Sequence, residues 1–184
     1  MLLVSTSIGL YLSEGILTLR YINSVNTQEK LFQEVIKKSG IKYDTRTRIQ
    51  AYDDLRKKNP ETVLYIAPFS FRAKTNQTIM PMSSISKKQT IGFNENGYYT
   101  VFQTDRYGFK NPDSEWNKKT IEFLLIGDSF THGLSVNEQD TIGGNLRKLI
   151  PENNGVLSLG QASNGTLIEY AILRVYLPLV NARR

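Results

Sequence analysis

The hydrophobic positions of this sequence are densest in a short run over residues 121–126, which ends abruptly at Gly127-Asp128-Ser129. Apolar runs of this length, bounded by Gly, Asp and Ser, are typical of a strand that ends in a turn. Open α/β sheets bind their ligands beyond the carboxyl ends of such strands. The pattern therefore predicts a strand that delivers the Ser129 hydroxyl to a crevice at the edge of a sheet.

The pattern after this run alternates between helix and strand. A helix is predicted over 137–150, a strand over 156–159 that ends at Gly160, and a further helix over 167–177. Strand, helix, strand and helix at this spacing form one parallel βαβ unit with its next helix. Because such crossovers are right-handed and parallel strands end on the same edge of the sheet, we expect Ser129 and Gly160 to meet at one crevice.

The chain before the central run has a weaker pattern. An amphipathic helix is predicted over 26–40, capped by Asn26 and stopped by Gly40, and a second helix over 45–59. A strand over 62–67 is followed by an irregular excursion over 68–97, which ends in a turn at 94–97. A strand over 98–104 and a turn or loop over 105–112 complete this part of the chain. The aromatic residues of the last segments are expected to pack in the core. A sugar-stacking or acyl-chain platform is the alternative.

Residues 1–19 are mostly apolar, although Glu14 interrupts them and Arg20 closes the stretch. A membrane-spanning helix needs about 20 apolar residues. No basic region precedes the stretch and no convincing cleavage site follows it. We expect residues 1–22 to be a membrane anchor or the remnant of a signal anchor, with the rest of the protein facing the periplasm or the cell envelope. The alternative is an N-terminal helix that packs on the domain.

Charge and composition exclude several classes of function. The net charge of +6 is distributed over scattered pairs of basic residues with no single basic stripe, so we expect no nucleic-acid partner. The absence of cysteine excludes disulfides, thiolate zinc sites and a cysteine nucleophile. His132 is the single histidine, which excludes a metal site built on several histidines. We expect neither a metal nor a cofactor.

Gly127-Asp128-Ser129 has two interpretations. Ser and Asp are ordinary helix caps, but the apolar strand in front and Gly133 behind favour a functional turn. The block resembles the first signature of the SGNH (GDSL-type) hydrolases, and Gly160 resembles the second. It differs from the Gly-x-Ser-x-Gly elbow because Thr131 stands where the second glycine would be.

The resemblance implies a fold and a site. The implied fold is α/β, a partial three-layer (Rossmann-like, flavodoxin-like) SGNH fold over 118–184, preceded by a helical and irregular extension over 23–117. The segments 43–47, 94–99 and 105–112 also resemble a bacterial, membrane-anchored branch of SGNH proteins of unassigned substrate. The implied catalytic nucleophile is Ser129, the implied oxyanion hole is formed by the N–H groups of Ser129 and Gly160, and the residues that line the site are Gly127, Asp128 and Asn164.

The sequence departs from this family in one important respect. It contains no Gly-x-Asn-Asp block and no Asp-x-x-His block, and Asn164 lies in the wrong block to replace the family's asparagine. A catalytic base must lie within about 2.6–3.2 Å of the serine hydroxyl. A histidine three residues after the serine rarely does, so we expect His132 to have a solvent-facing or capping role. The chain is therefore expected to be truncated at its C-terminus and inactive or very weak alone.

Two functions are compatible with these residues. The first is a serine ester hydrolase or O-acyltransferase, acting through Ser129 on a small-molecule or carbohydrate acyl ester. The second is a non-catalytic module of the same fold that binds or assembles envelope polysaccharide, because a fold alone does not fix a function.

Overall fold

The computed structural model describes residues 2–40, 42–71 and 80–180. The chain divides into two compact units, Met1–Tyr43 and Asp44–Arg184. The prediction of an irregular excursion over 68–97 falls partly on residues 72–79, which lie outside the described residues.

The first unit is one long helix, α1 (Leu2–Ser39), of 38 residues. At 1.5 Å per residue it is about 57 Å long. The prediction that a helix starts at Asn26 is wrong, because α1 runs through this position without a break. No proline or glycine interrupts residues 16–39, and hydroxyls such as that of Thr27 bond back to the preceding turn, to the Asn23 carbonyl at 2.8 Å. The predicted stop at Gly40 is confirmed by its left-handed φ of 67°.

Apart from the partly buried Ile36, the described apolar side chains of α1 are exposed, with Leu10 at 70% and Tyr11 at 76%. In the part of the chain that the structure describes, no helix combines the length and the apolar character needed to cross a bilayer. The membrane anchor over residues 1–22 therefore stays a prediction.

The second unit begins with α2 and a small three-stranded sheet. Its elements are α2 (Arg48–Lys58), β1 (Val63–Leu64), a 3₁₀ turn (Pro68–Phe71), β2 (Gln89–Ile91) and β3 (Val101–Gln103). The strand order is β1-β2-β3, with β1 parallel and β3 antiparallel to β2. The strands predicted over 62–67 and 98–104 are present but shorter. The strand β2 was not predicted, because three residues are too few to show a period.

Helix α2 starts three residues later than predicted. Thr47 forms a capping box with Gln50, in which the Thr47 hydroxyl accepts from the Gln50 N–H at 3.3 Å and the Gln50 side chain accepts from the Thr47 N–H at 2.8 Å. Asp44 and Arg46 precede the cap and bond to each other. Local capping therefore sets the start of this helix.

The second sheet contains the predicted parallel βαβ unit. Strands β4 (Thr120–Leu125) and β5 (Asn154–Ser158) pair in parallel, and the helices are α3 (Ser129–His132), α4 (Ile142–Arg147) and α5 (Thr166–Tyr176). The prediction of a single helix over 137–150 is wrong, because the segment contains two separate elements. A 3₁₀ turn (Glu138–Asp140) comes first, and Thr141 then caps α4 by accepting from the Gly144 N–H at 2.9 Å.

Two groups of buried residues hold the second unit together. The larger group surrounds β5 and consists of Phe109, Ile121, Leu157, Leu159 and Ile172. The smaller group consists of Tyr65, Phe102 and Ala162 and connects the three-stranded sheet with the segment after β5. The chain is thus a mixed α/β protein with parallel strands, and the coarse fold prediction is confirmed.

A network of buried polar side chains, here called the Asp105 network, consists of Asp105, Asn111, Glu115, Trp116 and Arg147. The Asp105 carboxylate accepts four hydrogen bonds at 2.8–2.9 Å, from the N–H groups of residues 107 and 109 and from the side chains of Asn111 and Trp116. The segment 105–112 was predicted as a turn or loop, and its side chains form the centre of this network.

The Asp105 network covers the edge of β5 that faces away from β4. The Asn111 carboxamide accepts from the Ser158 N–H at 2.9 Å and donates to the Ser158 carbonyl at 3.0 Å. Glu115 and Arg147 bond to the N–H and the carbonyl of Val156, at 2.8 Å each. Side chains thus occupy the positions at which a neighbouring strand would bond.

Candidate functional site

The Gly-Asp-Ser turn connects β4 to α3. Asp128 is the N-cap of α3, and its carboxylate accepts from the Phe130 N–H at 3.0 Å. Gly133 ends the helix with a φ of 65°, in the left-handed region that glycine adopts without strain. This short helix places Ser129 at its first position, directly beyond the carboxyl end of the strand, as the sequence predicted.

Ser129 is partly exposed. Within the described residues, neither its hydroxyl nor its N–H group makes a hydrogen bond. The first N–H groups of a helix lack intrahelical partners. Both groups of Ser129 are therefore free to bond to a ligand.

The segment 160–164, here called the Gly160 loop, packs against this turn. The Gln161 N–H donates to the Gly127 carbonyl at 3.2 Å. A Cβ atom on Gly160 would lie 2.5 Å from the backbone nitrogen of His132, a distance that real Cβ atoms do not show. Residue 160 must therefore be glycine for the loop and the turn to approach so closely. The two signature segments meet at the same end of the sheet, and the neighbours of Gly160 in the turn are Thr131 and His132.

His132 lies in the core. It is 2% exposed, and its ring centroid lies 4.8 Å from that of Tyr65 and 5.6 Å from that of Phe102. Burial, together with the positive charge of Lys110, lowers the pKa of His132 to about 3. The expectation of a solvent-facing or capping histidine is wrong, because packing against the two aromatic rings turns the imidazole inward.

His132 is also not bonded to Ser129 within residues 2–40, 42–71 and 80–180. Its Nδ1 atom is buried and has no hydrogen-bond partner there. A neutral, buried imidazole with so low a pKa is a poor acceptor for a serine proton at neutral pH. The structure thus agrees with the expectation that His132 is not the base.

Lys110 fixes the segment that follows α3. Its Nζ atom donates to the Gly133 carbonyl at 2.7 Å and to the Val136 carbonyl at 2.5 Å. Burial lowers the pKa of Lys110 to about 8. This role of Lys110 could not be predicted from the sequence, because a lysine in a polar turn is normally solvated.

The Gly160 loop contains several buried polar groups. The Tyr65 hydroxyl donates to the Gln161 side-chain oxygen and accepts from the Ala162 N–H, both at 3.1 Å, and burial raises the pKa of Tyr65 to about 12. The Gln161 Nε2 atom and both polar atoms of the Asn164 side chain are buried without a partner within the described residues. Asn164 was predicted to line the site, and its carboxamide is the least satisfied group of this loop.

A cavity of about 350 Å³ lies beside Ser129. Its wall consists of Ser129, Phe130, Gly133, Leu134, Ser135, Val136 and, from a distant part of the chain, Glu95. The Ser135 hydroxyl donates to the Glu95 carboxylate, and the Asn96 side chain donates to the Ser135 carbonyl at 2.8 Å. The sequence predicted a turn at 94–97 but nothing that would bring Glu95 to the serine.

Among the described residues, no group of three or more His, Asp or Glu side chains is arranged to hold a metal ion. The polar groups of the cavity wall are the free hydroxyl and N–H of Ser129, the Ser135 hydroxyl that donates to Glu95, and the Glu95 carboxylate. Comparison of the chain with models of protein families, with curated proteins and with solved structures gives no match in any of the three.

Proposed function

We propose that the protein is an SGNH-type serine ester hydrolase or O-acyltransferase, or the part of one that carries the nucleophile, and that Ser129 is this nucleophile. One observation carries the proposal. Ser129 stands directly beyond a parallel strand with its hydroxyl and N–H unpaired within the described residues, beside a cavity of about 350 Å³. A serine that only caps a helix would use its side chain in the cap, whereas here Asp128 is the cap.

In the proposed reaction the Ser129 hydroxyl attacks the carbonyl carbon of an acyl ester. The tetrahedral intermediate expels the alcohol and leaves an acyl group on the Ser129 oxygen. The N–H groups of Ser129 and Gly160 would stabilise the oxyanion, and neither donates a hydrogen bond within the described residues. Water then releases the acyl group in a hydrolase, and a sugar hydroxyl accepts it in an acyltransferase.

The proposal requires a base that removes the proton from Ser129. His132 does not supply it, because the ring is buried and its pKa is about 3. Oxyanion donors and substrate binding alone retain part of the catalysis when other members of a catalytic triad are lost. We therefore expect the chain on its own to be inactive or very weak as an esterase.

The proposal extends to the fold and the location. We propose that residues 118–184 belong to a three-layer SGNH-like domain and that 23–117 extend it. The burial of β5 supports this assignment, since parallel strands are normally covered on both faces. We further propose attachment to a membrane through residues 1–22, with the site facing the periplasm or the cell envelope.

The position of His132 favours one alternative. A chain whose single histidine is packed against Tyr65 and Phe102 has the oxyanion donors without the usual base. Such a chain could bind an envelope polysaccharide at the same cavity without cleaving it. The two functions differ in whether Ser129 forms a covalent bond.

The test is covalent labelling of the full chain with a fluorophosphonate, which reacts with activated serines. We expect labelling that is slow and is lost in Ser129→Ala, measured by intact mass and by peptide mapping. Ser114→Ala, at an exposed position outside the cavity, is the matched control and should label like the native chain. Labelling at the same rate in Ser129→Ala, or none in the native chain, would refute Ser129 as the nucleophile.

A further inference from the structure

The cavity beside Ser129 combines features that restrict its ligand. We infer that it selects a neutral, hydroxyl-bearing ester, of the sugar or polyol class, and that Glu95 is the residue that recognises the hydroxyl groups. The inference deepens the proposed function and rests on it for the position of the ester carbonyl at Ser129. It concerns a residue that lies 34 positions before the serine in the sequence (129 − 95).

The position of Glu95 is fixed by the turn that carries it. The Asn94 side chain donates to the Asp44 carbonyl at 2.7 Å, and the Asp44 N–H donates to the Gly97 carbonyl at 2.8 Å. The Asn96 side chain joins the turn to Ser135. Bonds on both sides of Glu95 therefore fix the backbone of this exposed residue, and the bond from the Ser135 hydroxyl holds its carboxylate at the wall of the cavity.

The carboxylate suits hydroxyl groups. One of its oxygens accepts from the Ser135 hydroxyl, which shows that an O–H donor is accommodated at this wall. A carboxylate offers about four lone-pair positions, so further hydroxyls can bond to it. Hydrogen bonds to an ionised acceptor are roughly twice as strong as those between neutral groups. Neighbouring hydroxyls of a sugar ring are ligands of this kind.

The size of the cavity and its aromatic rim favour a small ring. A volume of about 350 Å³ lies at the lower end of the range of ligand sites, roughly 300–1,000 Å³. The Phe130 side chain is 81% exposed at the edge of the cavity, with Leu134 and Val136 behind it. An exposed aromatic ring next to a polar group provides an apolar face and a hydrogen-bonding face, which match the two kinds of surface of a pyranose. A long acyl chain would extend beyond the cavity.

Glu95 and its surroundings disfavour the other classes of ester. Glu95 would repel an anionic group bound beside it. It would attract a cationic group, but one exposed phenylalanine does not form the aromatic cage that quaternary ammonium groups prefer. A neutral ligand with several hydroxyl groups meets neither obstacle.

The test measures binding, so that it does not depend on turnover. The full chain is titrated with methyl 6-O-acetyl-glucopyranoside, ethyl acetate, acetylcholine or a succinate monoester, and the amide NMR signals of Glu95, Ser129 and Phe130 are followed. We expect the sugar ester to bind at least tenfold more tightly than the other three. Glu95→Gln should weaken the sugar ester about tenfold, as expected for hydrogen bonds to a charged group, and should leave ethyl acetate unchanged.

Two further variants extend the test, one at the aromatic rim and one as a matched control. Phe130→Ala changes a side chain that is already exposed and should weaken the sugar ester several-fold. Glu152→Gln, at an exposed position outside the cavity wall, should leave every ligand unchanged. Tighter binding of acetylcholine or ethyl acetate, or sugar binding that does not depend on Glu95, would overturn the inference.

The outcomes also separate this inference from the proposed function. If Ser129 is not labelled by the fluorophosphonate but the sugar ester binds in a Glu95-dependent manner, the catalytic proposal fails and the recognition by Glu95 stands. If Ser129 is labelled and all four esters bind independently of Glu95, the catalytic proposal stands and the inference fails.

Discussion

Two sets of buried polar groups lie next to β5, and they differ in how well their hydrogen bonds are satisfied. In the Asp105 network along the outer edge of the strand, both Asp105 oxygens accept hydrogen bonds, and Asn111 bonds to both backbone polar groups of Ser158. At the carboxyl end of the same strand, the Gly160 loop and the adjacent turn leave polar side-chain atoms of His132, Gln161 and Asn164 buried without a partner within the described residues.

We interpret the difference as one between a stabilising region and the region of the proposed site. Buried polar groups in native proteins are nearly always hydrogen-bonded, and unsatisfied ones need a specific reason. A satisfied network stabilises one arrangement of the chain. We therefore expect substitutions in the Asp105 network to change the free energy of unfolding most, and substitutions at Ser129 to change it least.

The largest effect is expected for Asp105→Ala. The change leaves four donors without their acceptor, two of them buried (the Phe109 N–H and the Asn111 side chain) and two partly buried (the Tyr107 N–H and the Trp116 indole N–H). Each unsatisfied donor costs about 1–3 kcal/mol, and part of this is recovered by relaxation, so we expect a loss of about 4 kcal/mol in the free energy of unfolding. Urea unfolding followed by circular dichroism measures it.

The control for this prediction is Asp53→Ala, an exposed carboxylate on α2, which should change the free energy of unfolding by less than about 0.5 kcal/mol. A loss below about 1 kcal/mol in Asp105→Ala would show that the network does not stabilise the fold, and the comparison of the two regions would then fail.

The second-largest change in the free energy of unfolding is expected for Gly160→Ala. The added Cβ would lie 2.5 Å from the backbone nitrogen of His132 and 2.8 Å from the carbonyl carbon of Thr131. Backbone atoms cannot move aside as a flexible side chain can. We expect a loss of about 2–3 kcal/mol, as for other overpacked sites. The matched control is Gly165→Ala, where no atom lies within 4 Å of the new Cβ and the loss should stay below about 1 kcal/mol. Equal losses in the two variants would contradict the close approach.

The sequence was sufficient to predict the βαβ unit and the meeting of its two loops. The apolar runs before Gly127 and Gly160 define the two strands, and the constant handedness of parallel crossovers brings their ends to one edge. The start of α2 could be predicted only approximately. The Thr47 capping box sets this start, and residues 45 and 46, which the prediction included in the helix, lie before the cap.

The sequence was not sufficient for contacts between distant segments. The side chain of His132 points into the core because Tyr65 and Phe102 arrive there from another sheet, and no local pattern contains that information. Glu95 reaches the cavity through a turn whose partner, Asp44, lies 51 positions earlier (95 − 44). Tertiary packing overrides local propensity at such positions.

Lowering the pH is expected to have a smaller effect on the free energy of unfolding. The pKa of His132 is about 3 in the folded protein, below its ordinary value of 6.5. As the pH falls below 6.5, the unfolded chain binds a proton that the folded chain does not, so the stability falls with the pH over the window from 6.5 to 3. Between pH 7.5 and 5.5 this histidine should remove about 1.4 kcal/mol from the free energy of unfolding.

His132→Leu isolates this contribution, because leucine is apolar, similar in size and does not titrate. The native chain should lose about 1.4 kcal/mol more than the variant between pH 7.5 and 5.5, measured by urea unfolding at both values. The carboxylates titrate equally in both proteins and cancel in the difference. Identical pH dependence in the two proteins would show that His132 is solvated in solution, which would reopen its role as a base for Ser129.

The smallest effect is expected for Ser129→Ala, and it completes the comparison. Ser129 is partly exposed, and within the described residues its hydroxyl has no hydrogen-bond partner, because Asp128 caps the helix in its place. The free energy of unfolding should change by less than about 0.5 kcal/mol, while labelling by the fluorophosphonate is lost. A loss of 2 kcal/mol or more, as for a buried and bonded group, would place Ser129 with the stabilising residues. Unchanged stability in Ser129→Ala, together with a marked loss in Gly160→Ala, is the pattern that the proposed ligand site predicts.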